Sequence, residues 1–127
     1  MGKKDAWFAV DLDGTLAFYD GYKGKVIGEP IPRMVDRVKG WLEKGRKVKI
    51  MTARVGKHEG ETEEDIEKQR KMIEDWTEEH IGTRLEVTNE KDYKMIQLWD
   101  DRCVQIIPNT GIPVRIKEEE KISSKRL

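Results

Sequence analysis

Trp7-Phe8-Ala9-Val10-Asp11-Leu12-Asp13-Gly14-Thr15-Leu16 is the stretch whose reading decides the fold. Four apolar residues in a row, met at once by two acids and a glycine, predict a buried strand whose C-terminal end opens into a turn. Working outward, Phe18 to Ile31 is rich in glycine and aromatics, with Tyr19, Gly21, Tyr22, Gly24 and Gly28, and reads as a loop or small hairpin flap. Pro32 can start a helix whose face carries Met34, Val35, Val38, Trp41 and Leu42, and Gly45 stops it. Lys47 to Thr52 alternates into a second strand, and Gly56 to Gly60 is a loop.

A second helix should begin near Thr62, with Asp65 three residues on as in a capping box, and end at Ile81 before Gly82. Leu85–Thr88 and Met95–Trp99 are the third and fourth strand candidates. Val104–Ile107 is a fifth, ahead of the turn Pro108-Asn109-Thr110-Gly111. Strands alternating with helices imply an α/β domain with a Rossmann-like, mainly parallel sheet and flanking helices.

The 127 residues suit one domain, expected over residues 1–116, with a charged tail over 117–127. Lys and Arg number 25 and Asp and Glu 25, so no global basic field would gather nucleic acid over a distance. A lone cysteine, Cys103, excludes an intrachain disulfide and suits a reducing compartment; beside a strand it reads as a small buried hydrophobe. Lys3 and Lys4 precede an apolar run that Asp11 and Asp13 break, which is neither a signal peptide nor a membrane span. A cytoplasmic protein is expected.

Ligands in such sheets lie beyond the carboxyl ends of the strands, so the polar residues there matter most. Asp11 and Asp13 follow the first strand, and residues two apart at a strand end can face one reaction centre. One carboxylate can attack phosphorus while the other moves a proton. Gly14 allows a sharp turn and a close approach to phosphate, and Thr15 offers a hydroxyl. Asp100 and Asp101 follow the fourth strand; adjacent carboxylates repel, and a cation is their natural partner. Thr52, with Ala53 and Arg54 after it, ends the second strand, where a hydroxyl can hold a phosphoryl oxygen. Lys91 lies after the third strand and Lys94 before the fourth, and either ammonium could offset the negative charge.

In that order, D-L-D-G-T-L (Asp11–Leu16), K-I-M-T-A-R (Lys49–Arg54), a lysine and L-W-D-D-R (Leu98–Arg102) resemble the four ordered motifs of the haloacid dehalogenase (HAD) superfamily. The likeness runs over roughly residues 5–110. It implies a HAD-like core with Asp11 as nucleophile and Asp13 as general acid/base. Thr52 and Lys91 would hold the phosphoryl group, Lys94 being the alternative lysine. Mg²⁺ would be bound by Asp11, the Asp13 carbonyl oxygen and Asp100, with Asp101 close by or acting through water. Dehalogenases of the superfamily lack the second acid, so Asp13 favours a Mg²⁺-dependent phosphomonoester hydrolase.

Neither gap between motifs is long enough for a cap domain. A capless site implies a partner subunit over it, such as a homo-oligomer, or a large substrate. The stretch from Arg54 through Lys68-Gln69-Arg70-Lys71 to Trp76 resembles more loosely the phosphatase domain of phage polynucleotide kinases, which points to a nucleotide or a polynucleotide phosphate end. Read as residues alone, Lys68, Arg70 and Lys71 are a solvated helix face with Glu64, Glu67 and Glu74 as partners. Tyr19 and Tyr22 could stack on a base. His58 reads as a surface residue and His80 as helix-end packing. Trp7, Trp41, Trp76 and Trp99 read as core. Two other readings stay open: a receiver-like domain that stores its aspartyl phosphate, against which the order of the acids speaks, and a non-catalytic binding protein on the same fold.

Overall fold

The computed structural model describes residues 5–21 and 26–114. Four strands, β1 (Trp7–Val10), β2 (Lys47–Met51), β3 (Glu86–Thr88) and β4 (Met95–Trp99), form one sheet in the order β3-β2-β1-β4. Every pairing is parallel. Helix α1 (Pro32–Glu43) connects β1 to β2 and α2 (Glu63–Ile81) connects β2 to β3. The fold is α/β and Rossmann-like, with helices flanking a parallel sheet.

Periodicity decides which residues meet. Phe8, Val10, Val48, Ile50 and Val87 lie on one face of the sheet and share a buried cluster with Met34, Val35 and Val38 of α1 and Ile73, Trp76 and Ile81 of α2. Both helices therefore pack on that face. Trp41 of α1 bridges the edges of the cluster, its ring 4.8 Å from Phe8 and 5.1 Å from Trp99. The second face is covered differently. Trp7, also buried, has the Lys49 ammonium 4.4 Å from its ring, and its Nε1–H donates to Asp92 in the β3–β4 connection at 2.8 Å.

Helix α1 starts on Pro32, whose fixed φ suits the first turn. Helix α2 has the full capping box: Thr62 Oγ1 accepts from the Asp65 amide, and Asp65 accepts from the Thr62 amide. Gly82 closes it in the left-handed conformation, φ 94°. The flap expected between Phe18 and Ile31 has an antiparallel base. Phe18 N–H donates to Glu29 and Ile31 N–H to Leu16, and the Gly28 backbone comes so close to the Phe18 carbonyl that a Cβ there would sit 1.9 Å from its oxygen. Tyr22 and Gly24, like the tail over 117–127, lie outside the described residues.

The fifth strand does not form. Val104–Ile107 follows β4 after only residues 100–103, too short a connection to return a chain for parallel pairing. It pairs instead with what comes next. Ile106 bridges Pro113 antiparallel, Ile107 N–H donates to Ile112, and Asn109 (φ 66°) and Gly111 (φ 74°) make the turn. Cys103 loses its strand with it. It is exposed, not buried, its thiol donating to the Asp100 carbonyl at 3.3 Å.

Candidate functional site

The carboxyl ends of the four strands open into a cleft of about 900 Å³. Asp11, Asp13, Thr52, Arg54, Asp100 and Asp101 all line it. The sheet itself sets their spacing. The Asp11 amide donates to the Trp99 carbonyl at 2.9 Å and the Thr52 amide to the Thr88 carbonyl at 2.9 Å, so the ladders of β1–β4 and β2–β3 run on into the site.

Residues 12–17 fold into a tight turn in which the Leu16 and Ala17 amides both donate to the Leu12 carbonyl. Leu12 and Leu16 are fully buried, anchoring the turn while the alternate positions Asp11, Asp13 and Thr15 stay partly open. Gly14 is required twice over: its φ is 91°, and a Cβ would lie 2.6 Å from Asp101 Oδ2. Thr15 ties the two acid pairs together. Its Oγ1 accepts from the Asp101 amide at 3.0 Å and lies within donating reach of Asp101 Oδ1 (3.2 Å) and Asp11 Oδ2 (3.4 Å).

The two acids of the first motif have separate surroundings. Asp11 stands with Asp100 and Asp101, one carboxylate oxygen from each lying within 4.8 Å of the others. Burial, then the charges of Asp100 and Asp101, push the Asp11 carboxyl up to about 8. Asp13 faces a cation instead. Arg54 Nε–H donates to its Oδ2 at 2.7 Å and Nη2–H to its Oδ1 at 2.9 Å, a bidentate pair in which the arginine side chain is only 4% exposed. The same guanidinium donates to the Val26 carbonyl of the flap (3.0 Å) and to the buried Gln69 of α2 (3.4 Å). Thr52 Oγ1 accepts the Arg54 amide at 3.1 Å, which leaves its own hydroxyl proton to donate.

Three carboxylates converging on one point, with their mutual repulsion raising the pKa of one, make an all-oxygen donor set that fits a hard divalent cation such as Mg²⁺. Asp11, Asp100 and Asp101 are the side chains that would hold it. The Asp13 side chain is committed to Arg54.

Ala53 lines the cleft, as the sequence led us to expect; the two candidate lysines do not. Lys91 is exposed on the β3–β4 connection and is not among the cleft residues. Lys94 sits at the opposite end of β4, paired with Asp5 at 3.0 Å. The basic side chains that do line the cleft are Arg54 and Arg102. Sequence reading overlooked Arg102 and Asn89. Each directly follows a strand-end residue already singled out or a strand terminus, the one signal that would have found them. His58, expected at the surface, is exposed yet lines the cleft, its Nε2–H donating to the Ala53 carbonyl at 2.8 Å. Tyr19 is on the rim, 41% exposed. On the basic face of α2, Lys68 and Lys71 are exposed as expected, although Lys71 pairs with Asp75 and not with Glu74; Arg70 is half-buried, pairing with Glu67 and donating to the Val87 carbonyl of β3.

No protein-family model matches the chain, and no curated protein matches it. Among solved structures it is similar to a conserved protein from Bacteroides thetaiotaomicron. Identity is 22%, over 97% of this chain and 94% of that one, with a TM-score of 0.49. Among the described residues no helix is long and apolar enough to cross a membrane.

Proposed function

We propose that the chain is a Mg²⁺-dependent phosphomonoester hydrolase of the HAD type, working through an aspartyl phosphate on Asp11. The observation that carries this reading is the division of labour between two acids two residues apart. Asp11 belongs to the three-carboxylate group with Asp100 and Asp101, and Asp13 is held by Arg54 through both oxygens.

In this mechanism an Asp11 carboxylate oxygen attacks phosphorus in line, and the bond from phosphorus to the leaving oxygen breaks. In this reading an arriving phosphate draws Arg54 donors away from Asp13. The freed Asp13 carboxyl carries a proton and gives it to that oxygen, and Arg54 reorients the carboxylate left behind. Water then attacks the phosphorus of the aspartyl phosphate, losing its proton to Asp13. Inorganic phosphate leaves and Asp11 is regenerated. Thr52 donates its hydroxyl to a non-bridging oxygen throughout, and Arg102 supplies positive charge where a lysine was expected. Held by Asp11, Asp100 and Asp101, Mg²⁺ would offset the negative charge shared by Asp11 and the phosphate.

A cleft of about 900 Å³ has room for a phosphate at the end of a larger molecule. Tyr19 on the rim is available to stack on a base, so a nucleotide or polynucleotide end is the substrate class we favour. Phosphate release with Mg²⁺ from nucleoside monophosphates, sugar phosphates and 3′- or 5′-phosphorylated oligonucleotides tests this. Asp11→Asn and chelation by EDTA should each abolish turnover; full activity in Asp11→Asn would end the mechanism.

A further inference from the structure

The wall of the cleft beyond β2 carries charge that the reaction does not use. Residues 56–61 join the short 3₁₀ turn Ala53–Val55 to the start of α2, and Glu59 and Glu61 among them line the cleft. Backbone bonds tie this loop down on both sides of Glu59. The Gly56 amide and the His58 imidazole both donate to the Ala53 carbonyl, at 2.9 and 2.8 Å, and the Glu61 amide donates to the His58 carbonyl at 3.1 Å. Gly56 packs so closely that a Cβ there would lie 3.2 Å from the Ala53 oxygen and from Asn89 Nδ2. Glu59 is thus an exposed carboxylate held at the cleft by its neighbours.

The charge of the whole cleft decides what fits it. Asp11, Asp13, Glu59, Glu61, Asp100 and Asp101 set six carboxylates around it, against the guanidiniums of Arg54 and Arg102. A divalent cation on Asp11, Asp100 and Asp101 would still leave that balance negative. The proposed reaction uses both arginines on the phosphate being transferred, Arg54 dividing itself between that group and Asp13. Among the described residues the lining then holds no guanidinium or ammonium for a second phosphate. Nor is there distance to separate one from the carboxylates. β2 and β4 lie on either side of β1, about 10 Å apart at the ordinary strand spacing. A stacked nucleic-acid strand carries a charge about every 3.4 Å, so the phosphodiester next to a reacting end stays within one Debye length, about 8 Å, of the same negative walls.

We infer that Glu59 is a specificity-determining residue, which restricts the site to phosphomonoesters whose leaving group carries no further negative charge. A nucleoside monophosphate is accepted; a phosphorylated polynucleotide end is turned away by repulsion. Building an unmatched charge against the wrong partner is as effective a source of specificity as contacts to the right one. The inference rests on the phosphatase reading and narrows its substrate class to the smaller of the two candidates, which keeps a base for Tyr19 on the rim.

The test compares phosphate release with Mg²⁺ from p-nitrophenyl phosphate, from nucleoside 3′- and 5′-monophosphates, and from tetranucleotides phosphorylated at either end. In the wild type, kcat/KM for the better mononucleotide should exceed that for either tetranucleotide by about tenfold or more. Glu59→Lys should raise the tetranucleotide value about tenfold relative to p-nitrophenyl phosphate, Glu59→Gln should raise it less, and added salt should shrink both differences. Both replacements fall on an exposed loop position, and an unchanged circular dichroism spectrum checks the fold. A wild type that hydrolyses p-nitrophenyl phosphate and takes tetranucleotides as well as mononucleotides overturns this inference alone. So does a ratio that Glu59→Lys leaves unmoved. No release from p-nitrophenyl phosphate overturns the phosphatase reading, and this inference with it.

Discussion

Arg54 connects more of the site than any other side chain. It holds both oxygens of Asp13, the Val26 carbonyl of the flap and Gln69 of α2. Arg54→Met would leave a partly buried carboxylate without its cation, a change that costs about 3 kcal/mol or more when a buried pair is broken. A drop in unfolding free energy of that order, read by urea denaturation, should accompany loss of phosphate release, whereas replacing a surface arginine should cause neither. Asp11 makes a second prediction. Its carboxyl titrates at 3.8 ordinarily and is pushed up to about 8 in the fold, so between those values the folded chain holds a proton that the unfolded chain has lost. The associated stability is full below about 3.8 and is lost as the pH rises through about 8. Thermal melts without Mg²⁺ should therefore fall across that window. Added Mg²⁺ should restore stability near pH 8, and Asp11→Asn should flatten the slope. At this scale the meeting of the acids in one cleft was legible, since spacing and strand position announce them. The direction of Lys91 was not: a sequence shows that a residue follows a strand, but not which way its loop leaves.

Among the elements, those with strong local signals came out as read. The Thr62–Asp65 box and Gly82 bound α2, and Pro32 opens α1. Thr62→Ala should cost about 1 kcal/mol, measurable by urea denaturation, while leaving phosphate release intact because Thr62 is not among the residues that line the cleft. The fifth strand failed for a topological reason. Its alternation was real, but parallel pairing beside β4 needs a crossover that residues 100–103 cannot provide, and a good turn at Asn109 and Gly111 offered a hairpin instead. Cys103 went with it.

For the molecule as a whole, the alternation of strands and helices was enough to give a parallel α/β sheet. The strand order was hidden, because β3 to β4 is a jump across the whole sheet with no helix in it. Nothing in residues 89–94 announces that jump. Its marker is the bond from Trp7 to Asp92, a contact between residues 85 positions apart.

The bond from the Asp11 amide to the Trp99 carbonyl joins the first strand to the last. Closing so long a loop is entropically slow, and the local contacts of α1, β2 and α2 do not wait for it. The cleft lined by Asp11, Asp100 and Asp101 should thus be the last part of the fold to come into being. On refolding from urea, helical circular dichroism should recover before phosphate release, and enzymatic competence would then report the completion of the sheet and not merely its collapse.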